Sequence, residues 1–346
     1  MRTRRSASSS SDPVPSRRGS NSDTHVLEGK SQRHHKSTSI FLSPSTDKKN
    51  WSHRSVLLHE SIAALNVKPS HVVVDATLGG AGHAKAIVEK LDANGVFIGL
   101  DADAAAVERA RTTLSAAACR IHIATANFRT LDEVLHNCGV TGVNSCLFDL
   151  GWSGYQLAAG RGFSFLTDEP LLMTYARDIL PDTLTAEKIV NDWEEESIAD
   201  VLYGWGEERY SRRIAKRIAL YRKTKRIQTS KELGEIISSA VPLHYRKGRL
   251  HPATKTFQAL RIAVNDELGA LKEGLQAAWK TLLTGGRLVV ISFHSVEDRE
   301  VKRLMMEWYR AGEAERITKS PIRPSREEMT ENPRSRSAKL RVIQKI

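Results

Sequence analysis

A chain of 346 residues is long enough for one large domain with an insertion, or for two domains. Its composition, 40% hydrophobic and 27% charged, supports a sizeable core and excludes a wholly disordered protein. No stretch approaches the roughly 18 consecutive apolar residues that a membrane-spanning helix requires. Three cysteines, an odd number with no CxxC pair, exclude a disulfide scaffold and a cysteine-rich zinc site and favour a reducing compartment.

Half of the net charge of +12 lies in the first 50 residues, which hold ten Lys or Arg, four Asp or Glu and thirteen serines. With few large apolar residues to offset the entropy of ordering, residues 1–50 are predicted to be a disordered basic tail. Its opening lacks acids, as transit peptides do, but it also lacks their apolar stripe. We therefore expect a cytoplasmic protein, with the mitochondrial matrix as the alternative.

From Trp51 onward, short β-branched runs alternate with helical patterns. Alternation with short connections predicts a parallel sheet that carries helices on both faces. The predicted strands are His71–Asp75, Val96–Asp101, Arg120–Ala124 and Asn144–Asp149, and the helices between them include Gly82–Leu91 and Ala104–Ala116.

The stretch that follows has no convincing strand, and residues 161–250 are predicted to be a helical insertion. Its predicted helices are Ala186–Asn191, Glu195–Tyr203, Ser211–Lys223 and Ser230–Ser239. A long helix, Thr254–Leu283, continuous or broken, then leads into a fifth strand at Arg287–Phe293, and a last strand is predicted at Lys339–Gln344. The sheet domain would thus comprise residues 51–160 and 251–346.

The first predicted strand runs into a glycine-rich turn, Asp75 to His83, before a helix. Glycines at such a turn let a ligand approach the backbone, and Asp101 ends the next strand, where an acid accepts hydrogen bonds from a ribose diol. Lys85 occupies the place of the third glycine of a dinucleotide fingerprint, which disfavours an NAD-dependent oxidoreductase. An acid-led turn suits S-adenosylmethionine (SAM), with its cationic centre; the alternative is a structural turn without a ligand.

Asp149 ends the fourth predicted strand and is followed by a glycine and Trp152. The lone pair of cytosine N4 is delocalised into the ring, so a carboxylate that accepts its hydrogens would help to orient the amine toward a methyl donor. The alternatives are a turn-capping carboxylate and a Trp152 that only packs in the core.

Six segments in a fixed order resemble the bacterial 16S ribosomal RNA (cytosine-N4)-methyltransferase family, which includes mitochondrial relatives. These segments are His53–Glu60, Asp149–Gln156, Arg161–Phe165, His251–Glu267, Gly286–Asp298 and Asn332–Arg341. The resemblance covers about residues 51–346. It implies a Rossmann-like class I SAM-dependent methyltransferase sheet with an inserted helical subdomain. The implied activity is methylation of N4 of a cytidine in the decoding region of small-subunit rRNA.

Carried over by position, the family's cofactor contacts fall on Ala81, Gly82, His83, Asp101, Phe128, Asp149 and Gln156. This chain departs from the family at Ala81, where a third glycine is usual; a backbone contact tolerates alanine if its φ is negative. It also departs at Trp152–Tyr155 and at Asp168–Tyr175, on the substrate side. Two alternatives therefore stay open: an amino methyltransferase for another nucleic-acid base, and a ribosome-assembly binding factor.

The predicted partner is small-subunit rRNA, and no membrane partner is expected. Arg209–Arg226 holds nine Lys or Arg and no acid, with two tyrosines that could stack on unpaired bases, although such a run is often only a solvated face. The Arg246–Arg249 segment would extend this basic surface, and Arg334–Arg341 forms a second one. His294 is a candidate for positioning the substrate or, equally, a cap for the helix that begins at Ser295. No metal site is predicted, and the oligomeric state stays open, a homodimer included.

Overall fold

The computed structural model describes residues 54–151, 160–176 and 178–346. Its single sheet has seven strands in the order β3-β2-β1-β4-β5-β7-β6, parallel except for the antiparallel β7 and β6. The strands are β1 (Val72–Asp75), β2 (Val96–Asp101), β3 (Arg120–Thr125), β4 (Val143–Asp149), β5 (Leu282–Ser292), β6 (Ala314–Arg316) and β7 (Lys339–Lys345). The strand order reverses between β1 and β4. This confirms the predicted class I methyltransferase sheet.

Helices cover both faces of the sheet, as the alternating pattern predicts. In chain order they are α1 (Leu58–Leu65), α2 (Gly82–Val88), α3 (Ala104–Thr113), α4 (Leu131–Asn137), α5 (Ala186–Asp192), α6 (Glu195–Gly204), α7 (Ser211–Arg222), α8 (Ser230–Ala240), α9 (Leu243–Arg246), α10 (Thr254–Asn265), α11 (Glu267–Thr281), α12 (Ser295–Arg310) and α13 (Arg326–Glu331). Phe128–Thr130 and Pro333–Ser337 are short 3-10 helices. The sequence did not predict α1, α4, α9, α13 or the three-residue β6.

Alternation along the buried strands divides the core between the two faces of the sheet. Val73 and Leu147 pack in one layer, and their neighbours Val74 and Phe148 pack in the other. Successive side chains of a strand point to opposite faces, so a strand covered on both sides is apolar throughout. This explains why β1 and the last part of β4, Cys146–Phe148, read as apolar runs that end at an aspartate.

The described residues between β4 and α10 form helices and no strand. They enclose a separate apolar cluster, into which α7 places Ile214, Ala215 and Ile218, and Ala219 is buried on the same face of α7. That spacing matches the 3.6-residue period of an amphipathic helix. Threonine side chains cap two of these helices by accepting backbone N–H groups, Thr185 for α5 and Thr229 for α8.

The long helix predicted at Thr254–Leu283 is broken. Helix α10 ends at Asn265, Asp266 adopts a left-handed conformation with φ of 46°, and α11 begins at Glu267. Strand β5 then starts at Leu282, five residues before the predicted strand, and its pairing with β4 shifts register ahead of Arg287. Among the described helices, none has the length and apolar character needed to cross a membrane.

Candidate functional site

Three aspartates end neighbouring strands at the carboxyl edge of the sheet. Asp75 closes β1, Asp101 closes β2 and Asp149 closes β4, and β1 pairs with both of the others. Ligands of open parallel sheets bind at this edge where the strand order reverses. The structure therefore brings together the three carboxylates that the sequence singled out.

Asp75 is completely buried and is only half satisfied. Its Oδ1 accepts the N–H of Thr77 at 3.0 Å, whereas Oδ2 has no hydrogen-bond partner among the described residues. Burial, followed by the nearby carboxylate of Asp101, raises the pKa of Asp75 to about 7, against the hydrogen bond from Thr77, which lowers it. A buried carboxylate oxygen without a donor is costly unless a ligand supplies one.

Asp101 holds the glycine turn in place. Its Oδ2 accepts the N–H of Gly79 and its Oδ1 accepts the N–H of Asp103, each at 2.8 Å. Burial raises the pKa of Asp101, and these two hydrogen bonds oppose the increase. Each carboxylate oxygen can accept a second bond, so the geometry leaves room for the predicted diol.

The turn itself uses the left-handed backbone conformation twice, at Gly79 (φ 50°) and at Ala81 (φ 60°). The sequence predicts that alanine is tolerated at position 81 if its φ is negative. The observed φ is positive, so that condition is not met. Alanine adopts this conformation with strain, whereas glycine does so freely. Gly82 is in close contact with Ser55: a Cβ at Gly82 would lie 2.1 Å from Oγ of Ser55, so that side chain would have to move.

Asp149 is fixed by both its backbone and its side chain. Its N–H donates to Oγ1 of Thr77 at 2.7 Å, and its Oδ2 lies 3.6 Å from Nδ1 of His83. Its Oδ1 is buried and finds no hydrogen-bond partner in the described ranges. Burial, together with the carboxylates of Asp75 and Glu297, raises the pKa of Asp149 well above its usual range.

Two other predicted cofactor contacts have different outcomes. Phe128 is half-buried, and its ring meets that of Phe148 edge to face, with the ring centroids 5.6 Å apart. The ring also packs closely on α11, where a Cβ added at Gly274 would lie 2.8 Å from Cδ2 of Phe128. Packing in the core therefore accounts for part of its ring. Gln156 lies outside the described residues, as does the Trp152–Tyr155 departure.

His294 is the N-cap of α12. Its Nδ1 accepts the N–H of Glu297 at 3.3 Å while the carboxylate of Glu297 accepts the N–H of His294, which forms a capping box. The structure thus supports the capping interpretation of His294. It does not test the substrate-positioning one.

A group of carboxylates and one imidazole lies next to this cap. Glu267, His294 and Glu297 have potential ligand atoms within 4.8 Å of one another, the one such group among the described residues. Arg261, however, donates to both oxygens of Glu267 at 2.8 and 2.9 Å, and Glu297 accepts the N–H of Phe293 at 3.0 Å. These internal partners take the place of a cation, and we assign no metal to the group.

The basic run at Arg209–Arg226 divides into two halves. At its C-terminal end Lys225 pairs with Glu232 at 2.8 Å, and Arg226 pairs with Glu187 and Asp192. At its N-terminal end Arg212, Arg213 and Lys216 are exposed and form no ion pair with any residue that the structure describes. The guanidinium of Arg209 lies 4.9 Å from the ring centroids of both Tyr210 and Tyr245.

The second predicted basic group is largely internal. Lys339 and Arg341 both pair with Asp298, at 2.8 and 2.7 Å, and Arg336 donates to the carbonyl of Met329. Two of its four cations are therefore neutralised where β7 meets α12. This weakens the prediction that the group forms a basic surface.

Several residues that shape the site were missed or undervalued by the sequence. Thr77 joins β1 to β4, Ser55 fills the space beside Gly82, and Tyr175 donates to Glu267 at 2.9 Å. Asn265 holds the segment before Tyr175 through Met173 and Tyr175 itself. Of the contacts made by these residues, one could have been predicted from local sequence. An aspartate often accepts the backbone N–H of the residue two positions later, as Asp75 does from Thr77.

The family model for the MraW methylase family matches residues 50–346. The chain belongs to the MraW methylase family. The match covers every described element of the structure, and it confirms the resemblance inferred over residues 51–346.

Close relatives within the MraW methylase family are proteins named ribosomal RNA small subunit methyltransferase H. Those of Brevibacillus brevis and Paenibacillus sp. are 41% and 42% identical, each over 86% of this chain and at least 99% of their own length. That of Geobacter sulfurreducens is 44% identical over 86% of this chain and 99% of its own. A putative rRNA-methylase structure from Clostridium thermocellum, with TM-score 0.42 and 12% identity over 85% of this chain and 99% of that one, is too distant to support a conclusion.

Proposed function

We propose that this chain transfers the methyl group of SAM to N4 of a cytidine in the decoding region of small-subunit rRNA. The observation that carries the proposal is the carboxylate of Asp149, which ends β4 with a buried Oδ1 for which the described residues provide no donor. Membership of the MraW methylase family and the names of its relatives support an rRNA substrate.

The donor set at the sheet edge fits SAM. When bound, SAM supplies an electrophilic methyl group on a cationic sulfonium. Asp75 and Asp149 each present a buried oxygen without a partner among the described residues, and both are surrounded by other carboxylates. A site of this charge favours a cationic ligand. Asp101 would hold the ribose hydroxyls, and the turn of Ala81, Gly82 and His83 would contact the ligand through its backbone.

Asp149 would orient the nucleophile. The two N–H groups of an exocyclic amine are hydrogen-bond donors, and Oδ1 of Asp149 is an available acceptor. The backbone of Asp149 is held in place because its N–H donates to Oγ1 of Thr77. Holding N4 in this way directs its lone pair toward the methyl group of SAM and removes the orientations that a free amine could otherwise adopt. Phe128 and Gln156 complete the proposed set of cofactor contacts.

The target base must leave its stack to reach this edge, so RNA has to be held beside the site. We assign this task to residues 161–250, with the N-terminal half of α7 in contact with phosphates. The loop before α7 is anchored next to the site, because Glu207 accepts the hydroxyl hydrogen of Ser295 at 2.6 Å and pairs with Arg299. Small-subunit rRNA is the proposed partner, and the cytoplasm, where bacteria assemble ribosomes, is the proposed compartment.

Methylation of small-subunit rRNA tests the proposal. Cells lacking the gene are complemented with the wild-type chain, with Asp149→Ala, or with Asp132→Ala, which removes an exposed acid of α4. Mass spectrometry of the rRNA should show one N4-methylcytidine restored by the wild type and by Asp132→Ala but not by Asp149→Ala. Restoration of a different methylated base would favour the alternative amino methyltransferase. Full methylation by Asp149→Ala would remove Asp149 from the mechanism.

A further inference from the structure

His83 connects Asp149 to the chain in front of α1. Its ring is 4% exposed, with Nε2 3.1 Å from the carbonyl oxygen of Val56 and Nδ1 3.6 Å from Oδ2 of Asp149. A carbonyl oxygen only accepts hydrogen bonds, so Nε2 must carry a hydrogen. Nδ1 therefore faces the carboxylate, and two acceptors repel each other unless a second proton lies between them.

The surroundings of Asp149 favour that second proton. Asp75 approaches from β1 and Glu297 from α12, both negatively charged when ionised. Among the residues that the structure describes, His83 on α2 is the one side chain paired with Asp149 that can contribute positive charge. Burial adds to the cost of an isolated carboxylate. The proton can reside on either partner, because in both forms a donor faces an acceptor across the 3.6 Å between Nδ1 and Oδ2.

We propose that His83 is a positioning residue for Asp149: one proton carried by this pair makes Nδ1 and Oδ2 attract each other, which orients the carboxylate and leaves Oδ1 to accept the amine of the substrate. The inference rests on the proposed function for the role of Oδ1. It also gives the side chain of His83 a task other than cofactor contact, since both ring nitrogens already face protein atoms.

Two amide variants separate the contacts of the ring. An asparagine amide nitrogen falls near the place of Nδ1, and a glutamine amide nitrogen falls near the place of Nε2. His83→Asn therefore keeps a donor toward Asp149 and loses the bond to Val56, whereas His83→Gln does the reverse. A role in packing alone would affect the two variants alike, or would favour the longer glutamine.

We expect His83→Gln to lose more activity than His83→Asn. His83→Gln should lower kcat about 100-fold with little change in KM for SAM, because a misplaced catalytic group costs about that factor. His83→Asn should lower kcat less than about tenfold. Equal losses in the two variants, or a larger loss in His83→Asn, would overturn the proposal. Urea unfolding of both variants checks that the comparison is made on folded protein.

A second measurement does not depend on the substrate. In ¹⁵N-histidine-labelled full-length protein at pH 7.5, Nδ1 of His83 should resonate as a protonated or strongly hydrogen-bonded nitrogen, whereas an ordinary histidine of pKa about 6.5 would be mostly neutral. Asp149→Ala should shift that signal to an unprotonated nitrogen. An unprotonated Nδ1 in the wild type, unchanged in Asp149→Ala, refutes the shared proton. If the proton is present but no cytidine is methylated, the proposed function fails and the pairing of His83 with Asp149 stands.

Discussion

The N–H of Gly79 donates to Oδ2 of Asp101 across 2.8 Å, which ties the turn after β1 to the end of β2. The other carboxylate oxygen accepts the N–H of Asp103, so Asp101 organises two backbone segments at once. A ligand hydroxyl that bonds to this carboxylate meets an acceptor whose position is already fixed. Such preorganisation lowers the cost of binding.

Asp101→Ala should weaken SAM binding at least about tenfold, because a hydrogen bond to a charged group contributes roughly 1.5–3 kcal/mol. Isothermal titration calorimetry measures the affinity. Asp92→Ala is the matched control: Asp92 also accepts a backbone N–H, that of Asn94 at 2.8 Å, in an exposed turn away from the site. Unchanged affinity in folded Asp101→Ala would contradict the assignment of this residue to the ligand.

Asp75→Asn should stabilise the unliganded protein at pH 8 by up to about 4 kcal/mol, since the folded pKa of Asp75 is about 7 against an ordinary 3.8. Between these values the folded state binds more protons than the unfolded state, so the contribution of Asp75 to stability falls as pH rises and is lost above pH 7. The advantage of the variant should therefore shrink toward pH 5, as urea unfolding at both pH values would reveal. SAM affinity at pH 8 should fall in the same variant. A constant difference across pH would rule out this titration.

Ala81→Gly should change the free energy of unfolding by less than about 1 kcal/mol. Relief of the left-handed strain, worth about 1–2 kcal/mol, offsets the entropy of glycine and the loss of a buried methyl group. Ala84→Gly, at a buried helical position of α2, lacks that relief and should cost about 2 kcal/mol. Similar losses in both variants would show that Ala81 is not strained.

Replacing Arg212 and Lys216 together by glutamine should weaken binding to small-subunit rRNA and lower the salt slope of log Kd by about 1.4, because each lost phosphate contact removes about 0.7. The matched control is Lys225→Gln with Arg226→Gln, whose charges acids already neutralise on the same helical hairpin. Fluorescence anisotropy at several salt concentrations gives both slopes. Equal slopes in the two double variants would place the RNA elsewhere.

His294→Asn should retain the stability of the protein to within about 0.5 kcal/mol, because asparagine is a good N-cap, whereas His294→Ala should cost about 1 kcal/mol. Methyl transfer by His294→Asn then separates the two interpretations of this residue. Activity close to that of the wild type means that capping is its whole role. A fall of tenfold or more in kcat with unchanged stability means that the imidazole also positions the substrate.

The sequence predicted the sheet and much of its edge because these signals are local. Apolar runs that end in aspartate identify β1, β2 and β4, and the carboxyl ends of parallel strands meet at one edge. Short amphipathic or marginal elements carried too little pattern, which is why α1, α4 and β6 were missed. The sequence left open whether the helix predicted at Thr254–Leu283 is continuous, and the left-handed residue Asp266 breaks it.

The composition and motifs of this chain determined its family, its order of elements and the three carboxylates of the edge, since each depends on residues close together in sequence. Only the tertiary structure decided which oxygens of those carboxylates have no partner among the residues that it describes. It paired His83 with Asp149 across 66 positions, Thr77 with the N–H of Asp149, and Lys339 and Arg341 with Asp298. Such pairings depend on how strands and helices pack, and no local pattern encodes the distance between atoms that the fold brings together.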